Sequence, residues 1–153
     1  LVIIGDGTQL DDLKKKYSDP KIHFLGAVYE EGVIANYLFN AEILVSPGHV
    51  GLNVMHALTY GTPVITHDNF KNHAPEFEAI IPKKTGDFFK ENSLNDLTKV
   101  VMTWLDSDIP KDSIRNDCFK IIDRYYNPVN QARIIKKLIY DNHGEEKKNI
   151  FYT

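Results

Sequence analysis

Residues Ile43 to Thr66 read ILVSPGHVGLNVMHALTYGTPVIT, and the fold is decided by how this stretch is read. It runs as strand, glycine loop, helix, glycine stop and second strand. Ile43-Leu44-Val45 is an apolar run without alternation, the pattern of a strand covered on both faces. Pro47 and Gly48 end it. From Gly51 to Tyr60, the residues Leu52, Met55, Ala57 and Leu58 recur at helical spacing. Gly61 stops the helix, and Thr62-Pro63 delivers the chain into Val64-Ile65-Thr66. Such a βαβ unit brings the helix N-terminus, at Gly51-Leu52-Asn53, to the carboxyl edge of the sheet. Unpaired backbone N–H groups and the helix dipole collect there, so an anion such as a diphosphate is favoured over Gly48 to Asn53.

The rest of the chain extends the same alternation. Upstream, Leu1 to Ile4 reads as a buried strand closed by Gly5-Asp6-Gly7. A helix follows from Leu10 to Tyr17, then a strand at Ile22 to Leu25 ended by Gly26, then a helix from Glu30 to Asn40. Downstream, His67 to Ala79 reads as a loop with a short helix, and Ile80-Ile81 as a brief strand. Ser93 caps a helix from Leu94 to Leu105, with Asp96 in the capping-box position. Two more helices run from Asp112 or Ser113 to about Tyr125 and from Val129 to about Asp141. Strands alternating with helices through short glycine loops predict an α/β, Rossmann-like parallel sheet with helices on both faces. One Rossmann-like domain over residues 1–142, including the C-terminal helices, is expected, followed by a charged tail at 143–153.

Composition narrows the function classes. With 153 residues, 42% hydrophobic and 25% charged, the chain has the makeup of a globular domain with a proper core. Eighteen basic against 21 acidic residues give a net charge of −3, which argues against a nucleic-acid surface. The single cysteine, Cys118, excludes an internal disulfide. No apolar run approaches the roughly 20 residues of a membrane span. Leu1 lies inside a strand without an initiator Met, so the chain reads as a piece of a longer protein.

Several residues carry candidate chemistry. Gly5-Asp6-Gly7 after a strand is either a tight turn or a close approach of backbone to a ligand. It is not a full dinucleotide fingerprint, because Leu10 stands where the third glycine belongs. Gly48-His49-Val50-Gly51 is the better anion loop. His56, one turn after Leu52, projects near whatever binds the helix N-terminus, or is a histidine satisfied inside the fold. His49, His56, His67 and His73 lack the spacing of a zinc site, so no metal is expected. Glu76, after Pro75, either touches a sugar hydroxyl or caps a helix.

With these residues in view, the chain resembles the C-terminal, donor-binding half of the retaining glycosyltransferases of the GT4-like family, which have the GT-B fold. The landmarks appear in that family's order over about Leu1 to Leu105. VIIGDGTQLDDL resembles its strand, G-x-G turn and helix, and IHFLGAV its next strand and loop. AEILVSPG and GLNVMHALTYGTPVIT resemble its A-D-x-x-x-x-P-S and G-L-x-x-x-E-A-x-x-x-G-x-P-V-I segments. PEFEAI and TGDFF resemble its P-E-x and T-G tail. The resemblance implies a sugar transferred with retention from a nucleotide-diphosphate sugar to an acceptor, in surface polysaccharide or glycan biosynthesis. It implies that Gly5 and Gly7 line the donor cleft and that backbone at Ala27 and Val28 meets the base. Gly48, His49, Gly51, Leu52 and Asn53 would hold the diphosphate, with His56 and Glu76 nearest the chemistry and no cofactor besides the donor. It implies an acceptor domain upstream and hence a fragment inactive alone, in the cytoplasm, with peripheral association of the parent at the inner membrane left open. Two departures stand out. Gly48 and His56 occupy the places of the family's paired glutamates, and the loop after Pro47 is about three residues short. A non-catalytic, degenerate transferase-like module and a nucleotide-sugar epimerase of the GT-B fold remain as alternatives.

Overall fold

Among the described residues β4, spanning Val64–His67, is the one strand buried along its whole length, and the larger part of the molecule is built around it. The computed structural model describes residues 1–140 and divides into two compact units, Leu1–Tyr37 and the remainder from Leu38. The expected charged tail at 143–153 lies outside the described residues.

In the first unit, β1 (Val2–Ile4) pairs in parallel with β2 (His23–Gly26), with partners Val2–His23 and Ile3–Phe24 and a register shift before Ile4. The connecting helix α1 (Leu10–Lys16) has Asp11 and Asp12 in its first turn and Lys14 to Lys16 in its last, both favourable to the helix dipole. β1 is not the buried strand its apolar run predicts: Val2 is 39% and Ile4 42% exposed. A two-stranded sheet has one hydrogen-bonded neighbour per strand and too little face to enclose its side chains. Helix α2 (Glu31–Asn40) crosses the boundary between the units, and Leu38 is its buried residue.

In the second unit, β3 (Leu44–Val45), β4 and β5 (Gly86–Phe89) lie in parallel in that order. Leu44 pairs with Val64, and Val64 with Gly86. Between β3 and β4 runs α3 (Leu52–Thr59), whose Val54, Ala57 and Leu58 are fully buried. These three side chains pack with Val50, Ile65, Ile80, Phe89 and Cys118 as the core. Burying a leucine such as Leu58 is worth about 1.5–3 kcal/mol relative to exposing it. α3 leads through Gly61, at φ 76°, where a Cβ would lie 2.8 Å from Arg115 Cγ. Close approach of α5 (Lys111–Ile121) to α3 therefore needs glycine there.

Ile80-Ile81 is not a strand. Ile80 is buried, but the Ile81 N–H donates to Thr85 Oγ1 at 2.7 Å, and Pro82 has no N–H to give a ladder. The third strand of this sheet starts at Gly86 instead. α4 (Leu94–Leu105) has the expected bounds, and Ser93 Oγ accepts from the Asp96 N–H at 3.3 Å. The Asp96 carboxylate takes the Lys90 N–H at 2.6 Å rather than closing the capping box. The helix expected to reach Tyr125 remains α-helical only to Ile121 and widens into a π-turn over Ile122–Tyr126, before α6 (Pro128–Tyr140).

Candidate functional site: the loop between β3 and α3

Ser46 to Gly51 carries the chain from the carboxyl end of β3 to the first turn of α3. Gly48 and His49 are exposed, Val50 is fully buried and Leu52 is 69% exposed. An apolar side chain thus pins the middle of the loop while its flanks reach solvent.

The loop is fastened to the segment following β4. His49 Nδ1 donates to the Asn72 carbonyl at 2.6 Å. The Val50 N–H donates to His73 Nδ1 at 3.3 Å, and the Ala74 N–H donates to the Val50 carbonyl at 3.0 Å. Three consecutive residues, 72 to 74, therefore fasten the loop: Asn72 holds the His49 side chain, and His73 and Ala74 hold the two peptides flanking Val50. Ala74 also packs on Gly51, its Cβ 3.6 Å from where a Gly51 Cβ would stand. The segment is anchored in turn by Glu91, which accepts from Asn69 Nδ2 at 2.9 Å and from Asn72 Nδ2 at 3.4 Å.

The amides expected to face an anion divide into two kinds. The Gly51 N–H is already bonded, to Asn53 Oδ1 at 2.9 Å, while Asn53 Nδ2 donates to Ser46 Oγ at 3.2 Å. Asn53 is thus a side-chain brace for the loop as well as a main-chain donor. The Val54 N–H returns to the Gly51 carbonyl at 3.0 Å. Between them, the Leu52 and Asn53 N–H groups have no acceptor among the described residues, as the first amides of a helix do not. With no acidic residue in this first turn, the positive end of the helix dipole is left uncompensated there.

His49 presents Nε2 toward this helix start, 3.9 Å from the Gly51 Cβ position. His56 is exposed one turn further along α3. Glu76 sits in the 3-10 turn Pro75–Ala79, which packs on α3; its Oε2 is buried and has no hydrogen-bond partner among the described residues. Gly48, His49, Gly51, Leu52 and Asn53 form one continuous loop and helix start. In the first unit, Gly5 and Gly7 follow the carboxyl end of β1, and Ala27 and Val28 follow that of β2. The Gly5 N–H donates to the Gly26 carbonyl at 2.8 Å, and its φ of 145° suits only glycine.

A cleft of about 500 Å³ elsewhere in the second unit is lined by Glu78, Lys84, Lys120, Arg124, Tyr125 and neighbouring residues, and none of the expected donor-site residues borders it. Among the described residues no cluster of His, Cys, Asp and Glu has metal-ligand geometry, and no helix is long and apolar enough to cross a membrane. The histidines His49, His67 and His73 do gather, but through stacking and hydrogen bonds. The His67 and His73 rings are stacked with centroids 4.1 Å apart. Burial, and then the neighbouring His73, lower the His67 pKa below the ordinary imidazole value of 6.5. Sequence reasoning considered His67 and His73 only as metal ligands; their density around one loop was the signal available.

The family model of the glycosyl transferases group 1 matches residues 1–120. Sucrose-phosphate synthase from Thermosynechococcus elongatus superposes with a TM-score of 0.70 and 18% identity over 91% of this chain and 38% of its own. HepE from Anabaena, solved in complex with UDP, gives 0.67 and 16% over 90% of this chain and 40% of its own. The pneumococcal O-GlcNAc transferase GtfA, solved with UDP and GlcNAc, gives 0.63 and 15% over 94% of this chain and 29% of its own. The chain thus spans less than half the length of each. No curated protein matches it significantly by sequence.

Proposed function

Because the chain belongs to the glycosyl transferases group 1 family, we propose that it is the donor-binding half of a transferase moving a sugar from a nucleotide-diphosphate sugar to an acceptor. The observation that carries this reading is the pair of unpartnered amides, Leu52 and Asn53, at an exposed helix start that the loop fastenings hold in place. The diphosphate rests on these two N–H groups and on the positive end of the α3 dipole. As the glycosidic bond breaks, negative charge grows on the leaving diphosphate. Amides already oriented toward it stabilise that charge without further reorganisation. His49 Nε2 adds a donor beside the same phosphate when the ring is protonated. His56, in the place of a family glutamate, contacts ribose or phosphate. A neutral imidazole offers one acceptor where a carboxylate offers several, so ribose is held by fewer bonds here.

UDP in the HepE and GtfA structures supports a nucleotide diphosphate as the ligand class. Retention of configuration, a role in surface glycan assembly and a cytoplasmic setting follow from family resemblance and belong to the proposal. Glu76, with its buried and unpaired Oε2, is the carboxylate nearest in sequence to the loop fastening and completes the proposed set. The test is calorimetric titration with UDP, GDP and ADP and their sugar conjugates. Saturable binding of one nucleotide series, weakened in Leu52→Asp, is expected. No binding to any of the six ligands overturns the reading. Replacement of both family glutamates, by Gly48 and His56, favours as second reading a non-catalytic module that binds the donor without transferring it. Product analysis on the parent chain separates the two.

A further inference from the structure

We infer that His73 is the positioning residue of the diphosphate loop, and that nucleotide-diphosphate binding requires its neutral tautomer with the proton on Nε2. The inference rests on the donor-site reading above and adds a residue outside it.

The ring is committed at both nitrogens. Val50 N–H points at Nδ1 from 3.3 Å, so Nδ1 must offer a lone pair. The His67 carbonyl lies 2.9 Å from Nε2, so Nε2 must carry the hydrogen. One neutral tautomer satisfies both neighbours. Adding a proton at Nδ1 sets two donors against each other and leaves the N–H of fully buried Val50 unpaired, which the loop cannot bear without moving. Val50 is joined directly to Gly51, and its carbonyl is held by Ala74, the residue after His73. Release of Val50 therefore frees the peptides that aim the Leu52 and Asn53 amides.

His67 stacks on the His73 ring and is itself fixed as the Nε2–H form, because its Nδ1 accepts the Asn69 N–H at 3.1 Å. The titratable and charged groups on the segments around the ring are His49, His67, Asp68, Lys71, Glu76, Glu78 and Glu91. Glu91 lies toward His67, with Oε1 4.0 Å from its Nε2, and Asp68 is engaged by the Glu91 N–H. His49 acts in the opposite sense. Its free Nε2 faces the helix start, so protonating His49 strengthens anion binding. Acid weakening of binding cannot come from His49.

The experiment pairs two readouts on the wild type, His73→Asn and His73→Leu, with UDP as the ligand. Asparagine places Oδ1 where Nδ1 stood, keeping the acceptor for Val50 while removing the titration; leucine removes both. In 15N-histidine-labelled protein, His73 is expected as the Nε2–H tautomer, and the Val50 amide is expected to lose exchange protection as pH falls from about 8 to about 5. UDP takes up a proton of its own in this range, equally for all proteins. The decisive quantity is therefore the difference: wild-type affinity falls about tenfold more than that of His73→Asn, and His73→Leu is weakened by a similar factor already at pH about 8. Matching pH profiles for wild type and His73→Asn, or an Nδ1–H tautomer, overturn the inference. If UDP fails to bind while tautomer and Val50 protection behave as stated, the donor reading falls and the loop-holding role of His73 is supported.

Discussion

Placing a carboxylate at the start of α3 should make the protein more stable and a poorer binder at once. Leu52 is 69% exposed and is the first residue of α3, whose first turn contains no acid. In Leu52→Asp the new carboxylate sits against the uncompensated N-terminal dipole and stabilises the helix by about 0.3–1 kcal/mol. It also occupies the place where a diphosphate would lie. One unit charge about 5 Å from a phosphate charge, at an effective dielectric constant of about 20, is repelled by roughly 3 kcal/mol. Screening at physiological ionic strength, with a Debye length of about 8 Å, roughly halves this. The expected loss of UDP affinity thus lies between about tenfold and about a hundredfold.

Calorimetric titration and thermal unfolding on the same samples read both effects. Leu52→Asn, neutral and of the same size as aspartate, controls for the lost leucine and should bind nearly as wild type. Raising salt to about 1 M, where the Debye length shrinks to about 3 Å, should bring the aspartate variant back toward the asparagine variant. The reasoning is refuted if Leu52→Asp gains stability while its UDP affinity equals that of Leu52→Asn at low salt. The carboxylate would then be at the helix start and the diphosphate somewhere else.

Three further outcomes follow from the second unit. A Cβ on Gly86, at φ 155°, would lie 1.9 Å from the Val64 carbonyl oxygen of the neighbouring strand, so Gly86→Ala should cost about 3 kcal/mol and lower Tm by roughly 10 °C in a thermal melt. Cys118 is fully buried, and burial, helped by Asp117, pushes its thiol up to about 12. It should resist iodoacetamide in the native protein at pH about 8 and react fully in denaturant, and rapid native labelling would contradict its place in the core. Because the folded His67 binds its proton less readily than the unfolded one, stability from this residue is present above about pH 6.5 and is lost as pH falls below it. Urea unfolding across that range should show a shallower slope in His67→Asn, which keeps an acceptor for Asn69, and equal slopes would count against the assignment.

The parts of this fold legible in the sequence are those whose information is local. Apolar spacing places α4 at Leu94–Leu105 with its Ser93 cap, and glycine at 61 marks the end of α3 because a positive φ and a crowded neighbour exclude other residues. The parallel strand–helix alternation is equally readable, since each element declares its own period. Burial is less so. The apolar run Val2–Ile4 looks like the run Val64–His67 in sequence, yet the first is partly exposed and the second enclosed, because enclosure depends on how many strands and helices surround a strand.

The site divides along the same line. A glycine loop running into a helix at the carboxyl end of β3 is readable. Which of its amides remain open is not, because that depends on bonds between side chains and backbone. Asn53 occupies the Gly51 N–H from two residues away, and His73 takes the Val50 N–H across 23 residues of chain. Asparagine and histidine are common in loops, and no periodicity distinguishes a residue with every polar atom engaged from one in water. The unpartnered amides of Leu52 and Asn53, at the proposed donor site, belong to a short helix that does not orient itself. Their direction is inherited from Val50, whose two peptides are held by His73 and Ala74, in a segment that Glu91, beyond β5, anchors through Asn69 and Asn72. On the proposed donor-site reading, the affinity of this loop for a diphosphate is set by three β-strand ends acting together, with His73 at the joint between them.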